Sequence, residues 1–99
     1  MFTLAYSETA IRDIEDIGGY LTSVQNADFA KAYLERLRLH IQTLQHNGHR
    51  FRERAELGPG RRALVEPPYL IFYRMIGSTV YILRVLHGAR QITPETFRD

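Results

Sequence analysis

The stretch Tyr69–Arg90, which reads YLIFYRMIGSTVYILRVLHGAR, decides the fold. Two runs rich in β-branched and aromatic residues flank Gly77-Ser78, and two residues of this type form the tight turn of a β-hairpin. We therefore predict antiparallel strands over Tyr69–Ile76 and Thr79–Leu86. The run Tyr69–Tyr73 is apolar at every position, which predicts a strand covered on both faces.

The chain before this hairpin opens with a short strand and a helix. Apolar side chains alternate at Phe2, Leu4 and Tyr6, and Ser7 is a suitable N-cap. Helical spacing continues from there to about Tyr20, and glycines at the end of this run weaken its last turn. The apolar positions that predict a buried stripe are Ile11, Ile14, Ile17 and Leu21.

A second helix and a further strand follow. Asn26 or Ser23 starts the helix, and Asn47-Gly48 ends it. Its predicted apolar stripe is Ala30, Tyr33, Leu34, Leu37, Ile41 and Leu44. Gly58-Pro59-Gly60 predicts a turn, and Arg61–Val65 a short strand that ends at Pro67-Pro68 because proline cannot donate to a strand ladder.

The order of elements is β-α-α-β-β-β, which predicts an α+β domain with an N-terminal strand and a helical hairpin packed on a small antiparallel sheet. The 99 residues fit one domain, 1–99, and 44% of them are hydrophobic, as expected for a globular protein. The sequence contains no cysteine, so disulfides and thiolate metal sites are excluded. No signal peptide or membrane-spanning run is apparent, and a cytoplasmic protein without membrane contact is the expectation.

Positive charge is concentrated in the middle of the chain. Of the 13 basic residues, Lys31 is the single lysine. Five arginines lie between His49 and Arg62 against two glutamates, and they are Arg50, Arg52, Arg54, Arg61 and Arg62. This segment could attract phosphate or an acidic protein partner, or it could be a solvated loop.

Three segments together carry a resemblance to a known family. The opening helix reads Ser7-Glu8-Thr9-Ala10 and then Asp13–Ile17, and the hairpin contains Tyr69–Arg74 and Leu83–Arg90. In this order and spacing, they resemble the RelE/ParE superfamily of type II toxins. Their amino-acid sequences are most similar to the ParE branch, the plasmid-stabilisation-type toxins. The resemblance covers most of the chain and implies the same α+β fold.

The two branches of that superfamily imply different functions. RelE-like members resemble ribosome-dependent endoribonucleases that use basic residues of the sheet and a C-terminal tyrosine. Arg90 matches a RelE-like arginine, but Leu70 occupies another arginine position and no tyrosine follows Arg90. These departures favour the ParE reading, in which the toxin inhibits DNA gyrase by direct binding and has no catalytic residues.

Several residues of the hairpin are candidates for function. Arg84 alternates with Val80 and Ile82, so the pattern places it on an apolar face, where it either meets a carboxylate or opens onto a functional surface. With that surface we group the predicted target-binding residues Arg74, Arg84 and Arg90. If the protein were a nuclease, the candidate catalytic residues would be Arg84, His87 and Arg90. His87 could equally end its strand with a ring nitrogen bonded to the backbone.

Metal and cofactor sites are not expected. His46 and His49 are spaced as a ligand pair but lack a third ligand, and histidines at the end of a helix also suit its dipole. The acidic residues Asp13, Glu15 and Asp16 spread around a helical turn, which predicts a solvated face rather than an acid/base pair.

The resemblance also implies a partner, a cognate ParD-like antitoxin with an acidic C-terminal segment, in a toxin–antitoxin hetero-oligomer. The expected docking surfaces are the outer side of the helical hairpin and the edge of the sheet. The five arginines of the middle segment, Arg50, Arg52, Arg54, Arg61 and Arg62, are the predicted antitoxin-binding residues. Two alternatives stay open: a RelE-type endoribonuclease, and an inactive protein retained for antitoxin pairing.

Overall fold

The computed structural model describes residues 1–88 and 94–97, and they form an α+β fold. Its elements in chain order are β1 (Thr3–Tyr6), α1 (Glu8–Val24), α2 (Ala27–Gln42), the short α3 (Leu44–Asn47), β2 (Arg61–Glu66), β3 (Tyr69–Ile76) and β4 (Thr79–His87). Short 3₁₀ turns lie at Ala55–Leu57 and at Pro94–Phe97. The predicted order of strands and helices is confirmed.

The four strands form one sheet in the order β1-β4-β3-β2. β2, β3 and β4 are an antiparallel meander, and Ile76 pairs with Thr79 across the predicted two-residue turn. Gly77 has a φ of 59°, a left-handed conformation that favours glycine in such a turn. β1 lies parallel to β4, with Thr3 opposite Thr79, so the sheet is mixed rather than wholly antiparallel.

The two long helices begin at the predicted caps but do not end as predicted. α2 ends at Gln42, and the predicted end at Asn47-Gly48 is the end of the short α3. The Ser7 Oγ accepts a hydrogen bond from the Ala10 N–H, and the Asn26 Oδ1 accepts one from the Phe29 N–H. α1 runs to Val24, past the predicted end at Tyr20. Gly18 therefore lies inside the helix and not in its last turn, and it permits close packing, because a Cβ there would lie 2.9 Å from Leu34 Cδ1 of α2.

Apolar side chains cover both faces of the sheet, as the run Tyr69–Tyr73 predicts. On the face toward the helices, Ile71 and Tyr73 are fully buried with Leu37 and Ile41 of α2. The opposite face carries a smaller cluster, made of Leu57, Ala63, Leu70, Phe72, Leu86 and Phe97. The chain therefore has a main core and a second layer formed by its loops and C-terminal turn.

One predicted core position is wrong. Ile11 falls on the predicted buried stripe of α1, but it is 48% exposed, whereas Ile17 of the same stripe is 7% exposed. The difference arises because Ile11 borders a groove between α1 and α2 instead of packing on the sheet.

A β-bulge in β4 changes the face on which Arg84 lies. Phe72 pairs with Arg84 and Tyr73 pairs with Ile82. Leu83 is therefore an extra residue of β4 that has no paired residue in β3. Simple alternation places Arg84 on the face of Val80 and Ile82. The bulge reverses the alternation, and Arg84 lies with Phe72 on the face away from the helices.

Beyond the bulge, α1 closes the edge of β4 that β1 leaves open. β1 ends at Tyr6 opposite Ile82, and side chains of the following helix replace it. The Ser7 Oγ donates to the Leu83 carbonyl at 2.8 Å, and Asp13 Oδ2 accepts from the Val85 N–H at 3.0 Å. Backbone groups at a sheet edge need such partners when they are buried.

The carboxylate of Asp13 also binds Arg84 through two hydrogen bonds. The Arg84 Nε lies 2.8 Å from Asp13 Oδ2, and Nη2 lies 3.0 Å from Oδ1. The Arg84 Nη1 donates to the Thr96 carbonyl at 2.8 Å, so one guanidinium links α1 to the C-terminal turn. Both side chains are largely buried, at 14% and 11% exposure. The expectation that Asp13 belongs to a solvated helix face is therefore wrong.

Tyr73 joins the sheet to the end of the helical region. Its buried hydroxyl donates to the Gly48 carbonyl at 2.7 Å, and burial raises its pKa to about 12. The phenol therefore stays protonated and remains a donor throughout the physiological pH range. Gly48 must be small, because a Cβ there would lie 2.7 Å from the Met75 Sδ.

We expect Asp13→Ala to lower the free energy of unfolding by about 2–4 kcal/mol, because it leaves the Arg84 guanidinium and the Val85 N–H without their acceptor. Chemical denaturation of Asp13→Ala, Arg84→Ala and the double variant gives the coupling energy. A coupling of about 1–3 kcal/mol is expected for these contacting charged groups.

The matched control is the exposed pair Glu35–Arg38, whose N···O distance is 2.5 Å. Solvent screens that pair, so its double-mutant cycle should show a much weaker coupling. Equal couplings for the two pairs would contradict the structural role assigned to Asp13.

Candidate partner-binding and target-binding surfaces

An apolar groove runs between α1 and α2 and reaches β1. Its volume is about 810 Å³, and its lining includes Leu4, Ile11, Ile14, Ala30, Leu34 and Ile41. Gly18 lies in its lining, where it lets the two helices approach closely, and Ile11 stays half exposed on its wall. The sequence predicts the helical hairpin but not this groove, since spacing alone does not show which apolar residues lack a neighbour.

Charged side chains of both signs border this groove. Glu15, Lys31, Glu35 and Arg38 all contribute to its lining. A hydrogen bond from Arg38 lowers the pKa of the Glu35 carboxyl, which keeps it ionised. An apolar floor with a charged border fits the amphipathic face of a helix.

A second cleft of about 630 Å³ lies on the opposite side of the helical hairpin. Its lining includes the aromatic rings of Tyr20, Phe29, Tyr33, Tyr69 and His87, together with Asp13 and Asp16. His87 lies edge-on to Tyr69, with 5.8 Å between ring centroids. The Tyr33 hydroxyl is buried without a hydrogen-bond partner in this part of the structure, and desolvation raises its pKa.

The arginine-rich middle segment folds against β2, and its arginines have different roles. Arg50 and Arg52 are exposed. The Arg54 Nε pairs with Glu56 Oε1 at 2.5 Å, which lowers the pKa of Glu56. The remaining two donate to carbonyls of the same segment, Arg61 to Leu57 and Arg62 to Phe51.

Arg61 and Arg62 therefore hold the loop to the sheet, whereas Arg50 and Arg52 extend into solvent. Two backbone contacts strengthen this attachment, an isolated bridge between Glu53 and Arg62 and a 2.5 Å hydrogen bond from the Arg54 N–H to the Arg61 carbonyl. Binding of these arginines to an antitoxin stays a prediction.

The predicted target-binding residues do not form one cluster. Arg74 lies near the end of β3, beside Met75, while Arg84 lies beyond the bulge of β4 and is bound to Asp13 and Thr96. Arg90 falls outside the described residues. His87 is exposed at the end of β4 and contacts Tyr69. Their roles in target binding or catalysis stay predictions.

No group of three potential metal ligands occurs among residues 1–88 and 94–97. The His49 ring instead packs edge-on against Phe2, with 5.2 Å between centroids. Over the same residues, no helix combines the length and the apolar character needed to cross a membrane.

Comparisons with known proteins agree with the observed fold. Among solved structures, the chain is similar to the chromosomal ParDE toxin–antitoxin system from P. aeruginosa, with a TM-score of 0.78 and 22% identity over 88% of this chain and 96% of that one. It is also similar to the RelBE2 toxin–antitoxin complex from Mycobacterium tuberculosis, with a TM-score of 0.66 and 21% identity over 87% of this chain and 96% of that one.

The comparison with sequence families is more specific. Curated protein sequences gave no match. In contrast, the family model described as the ParE toxin of the type II toxin–antitoxin system parDE matches residues 4–92. That match covers β1 from Leu4 onward and all of the helices and strands that follow it, including the groove and the arginine-rich segment. The chain therefore belongs to the ParE toxin family of type II toxin–antitoxin systems, within the RelE/ParE superfamily.

Proposed function

We propose that this ParE-family toxin inhibits DNA gyrase by direct binding, without catalytic residues of its own, and that a ParD-like antitoxin neutralises it. The observation that supports the absence of catalytic residues is the environment of Leu70. This residue occupies a position where RelE-like nucleases have an arginine, and here it packs in the apolar cluster with Phe72 and Leu86. An apolar side chain there cannot stabilise the charge that develops on a phosphate during cleavage.

The contacts of Arg84 support the same proposal. A cation that assists phosphate cleavage must be able to reach the substrate. Most donors of the Arg84 guanidinium are already directed at Asp13 and at the Thr96 carbonyl. In this proposal Arg84 does not contact the target but positions the C-terminal turn. Arg74 and Arg90 are then the residues that contact the target directly.

The groove between α1 and α2 is the proposed site for the antitoxin. Both structural relatives carry names that describe toxin–antitoxin systems. The acidic segment of a ParD-like antitoxin could place an amphipathic helix over Ile11 and Leu34, while Arg50 and Arg52 attract it electrostatically. The toxin would then work in the cytoplasm, where gyrase acts on DNA, and be stored there as a hetero-oligomer with its antitoxin.

The gyrase proposal predicts that a saturating amount of the toxin stops purified gyrase from supercoiling relaxed plasmid and increases the fraction of cleaved DNA. Prior mixing with the antitoxin should restore supercoiling. Arg90→Gln should weaken inhibition by about tenfold, the loss expected for one charge-assisted contact. Arg12→Gln removes the same charge from an exposed site on α1 and should leave inhibition unchanged.

Normal supercoiling at saturating wild-type toxin would refute the gyrase proposal. Primer extension on messenger RNA after induction provides the complementary measurement. New cleavage sites within codons would establish the endoribonuclease alternative, whereas unchanged growth and intact RNA would indicate an inactive protein.

The groove proposal predicts that Ile11→Asp weakens antitoxin binding by about 10–100-fold, because the interface would bury an unpaired carboxylate. Calorimetric titration measures this affinity directly. Val65→Asp is the matched control, since Val65 is 56% exposed on the edge strand β2, compared with 48% for Ile11. If Val65→Asp were the damaging variant, the antitoxin would occupy the sheet edge instead of the groove.

A further inference from the structure

The second cleft, called the aromatic cleft from here on, has two exposed aromatic side chains in its lining. Tyr20 of α1 is 60% exposed, and Phe29 of α2 is 44% exposed. Within the part of the chain that the structure describes, neither ring is stacked on another ring or covered by a cation. Aromatic side chains that stay exposed together in one cleft are typical of a binding surface.

The other rings of the aromatic cleft are packed against one another. Tyr69 is only 7% exposed, and it lies edge-on to Tyr33 and to His87, with 6.0 and 5.8 Å between ring centroids. Burial raises the pKa of the Tyr69 phenol, and the neighbouring Tyr20 raises it further, so these two side chains lie close together. A cleft with packed rings loses little conformational entropy when a ligand binds.

The charge of the aromatic cleft is negative. Its carboxylates are Asp13, which is bound to Arg84, and Asp16, which is exposed. None of the ion pairs among residues 1–88 and 94–97 includes Asp16. No lysine or arginine of these residues lines the cleft, although the chain has a net charge of +2. The aromatic cleft therefore combines accessible ring faces with one uncompensated carboxylate.

We propose that the aromatic cleft binds an arginine side chain of a partner protein. The face of an aromatic ring attracts a cation, and a carboxylate accepts hydrogen bonds from a guanidinium. This chain makes the ring contact itself, because the guanidinium carbon of Arg36 lies 5.3 Å from the centre of the Tyr33 ring. Arginine suits the cleft better than lysine, since a planar guanidinium both stacks on rings and donates two parallel hydrogen bonds to a carboxylate.

The size and the remaining lining of the aromatic cleft indicate which residues flank that arginine. A volume of about 630 Å³ lies in the range of sites that enclose whole drug-sized ligands, so the cleft has room for more than one side chain. Aliphatic side chains complete the lining, and they are Ile17, Leu21, Val85 and Leu86. The segment that fits is therefore an arginine with apolar neighbours.

This site goes beyond the proposed inhibition of gyrase and its neutralisation. It shares no lining residue with the groove between α1 and α2, and its negative charge does not suit the acidic segment of an antitoxin. It also includes none of the proposed target-binding arginines that the structure describes. A toxin that failed to inhibit gyrase would still be expected to bind an arginine side chain here.

The test is an NMR titration of the isolated, isotope-labelled toxin with two blocked tripeptides, acetyl-Leu-Arg-Leu-amide and the same peptide with citrulline in place of arginine. Citrulline keeps the shape of arginine without its charge, so the arginine peptide should bind about 5–30-fold more tightly. Its addition should shift the amide signals of Tyr20 and Phe29. The signals of Ile11 and Leu34, which lie in the groove, should not move.

Substitutions in the aromatic cleft separate the contributions of charge and ring. Asp16→Asn should weaken binding of the arginine peptide by about 2–5-fold and leave binding of the citrulline peptide unchanged. Tyr20→Leu keeps an apolar side chain but removes a ring face, so it should reduce the preference for arginine over citrulline. The matched control is Glu8→Gln, which removes an equal charge from an exposed position of α1 outside both clefts and should change neither affinity.

Circular dichroism shows that each variant is folded before its affinity is compared. Equal affinities of the wild type for the two peptides would overturn the proposal in favour of a purely apolar ligand. An absence of binding by the arginine peptide, or shifts confined to the groove, would also overturn it. Equal effects of Asp16→Asn and Glu8→Gln would show that the peptide responds only to the overall charge of the protein, which contradicts a site at Asp16.

Discussion

The structure depends on how the open edge of β4 is closed. β1 is too short to pair along the whole of β4, and a bulge at Leu83 turns the remaining part of the strand. Asp13 resolves both problems, because its carboxylate accepts from the Val85 N–H and holds Arg84 on the far side of the bulge. A buried edge without such acceptors would leave backbone donors unsatisfied and would be open to pairing with another chain.

Closing this edge fixes α1 relative to the sheet, and the position of α1 determines the two surfaces on which the functional proposals rest. The groove forms where α1 meets α2 at Gly18, on the helical side. On the opposite side, Arg84 holds the C-terminal turn, and Phe97 of that turn packs on Phe72 and Arg61. The groove and the face that carries the C-terminal turn thus lie on opposite sides of one sheet.

Most of the fold could be predicted from local patterns. The turn at Gly77, the caps at Ser7 and Asn26 and the two-faced apolar run of β3 are short-range signals, and the structure has all of them. The bulge could not be predicted, because one extra residue changes the face of every residue after it without altering the composition. For Arg84, the sequence predicts either a bound carboxylate or a position on a functional surface. Asp13 could not be singled out because it lies 71 residues away along the chain.

Hydrogen exchange of the Val85 amide in the wild-type protein tests the edge closure most directly. The account predicts that this amide exchanges only on global unfolding, as slowly as the amides at the centre of the sheet, because Asp13 accepts its hydrogen. In Asp13→Ala, the Val85 amide should exchange faster than global unfolding of the variant allows. The Ile82 amide should still exchange only when the variant unfolds globally. Exchange of the wild-type Val85 amide as fast as that of Ser78 in the exposed turn would contradict the account.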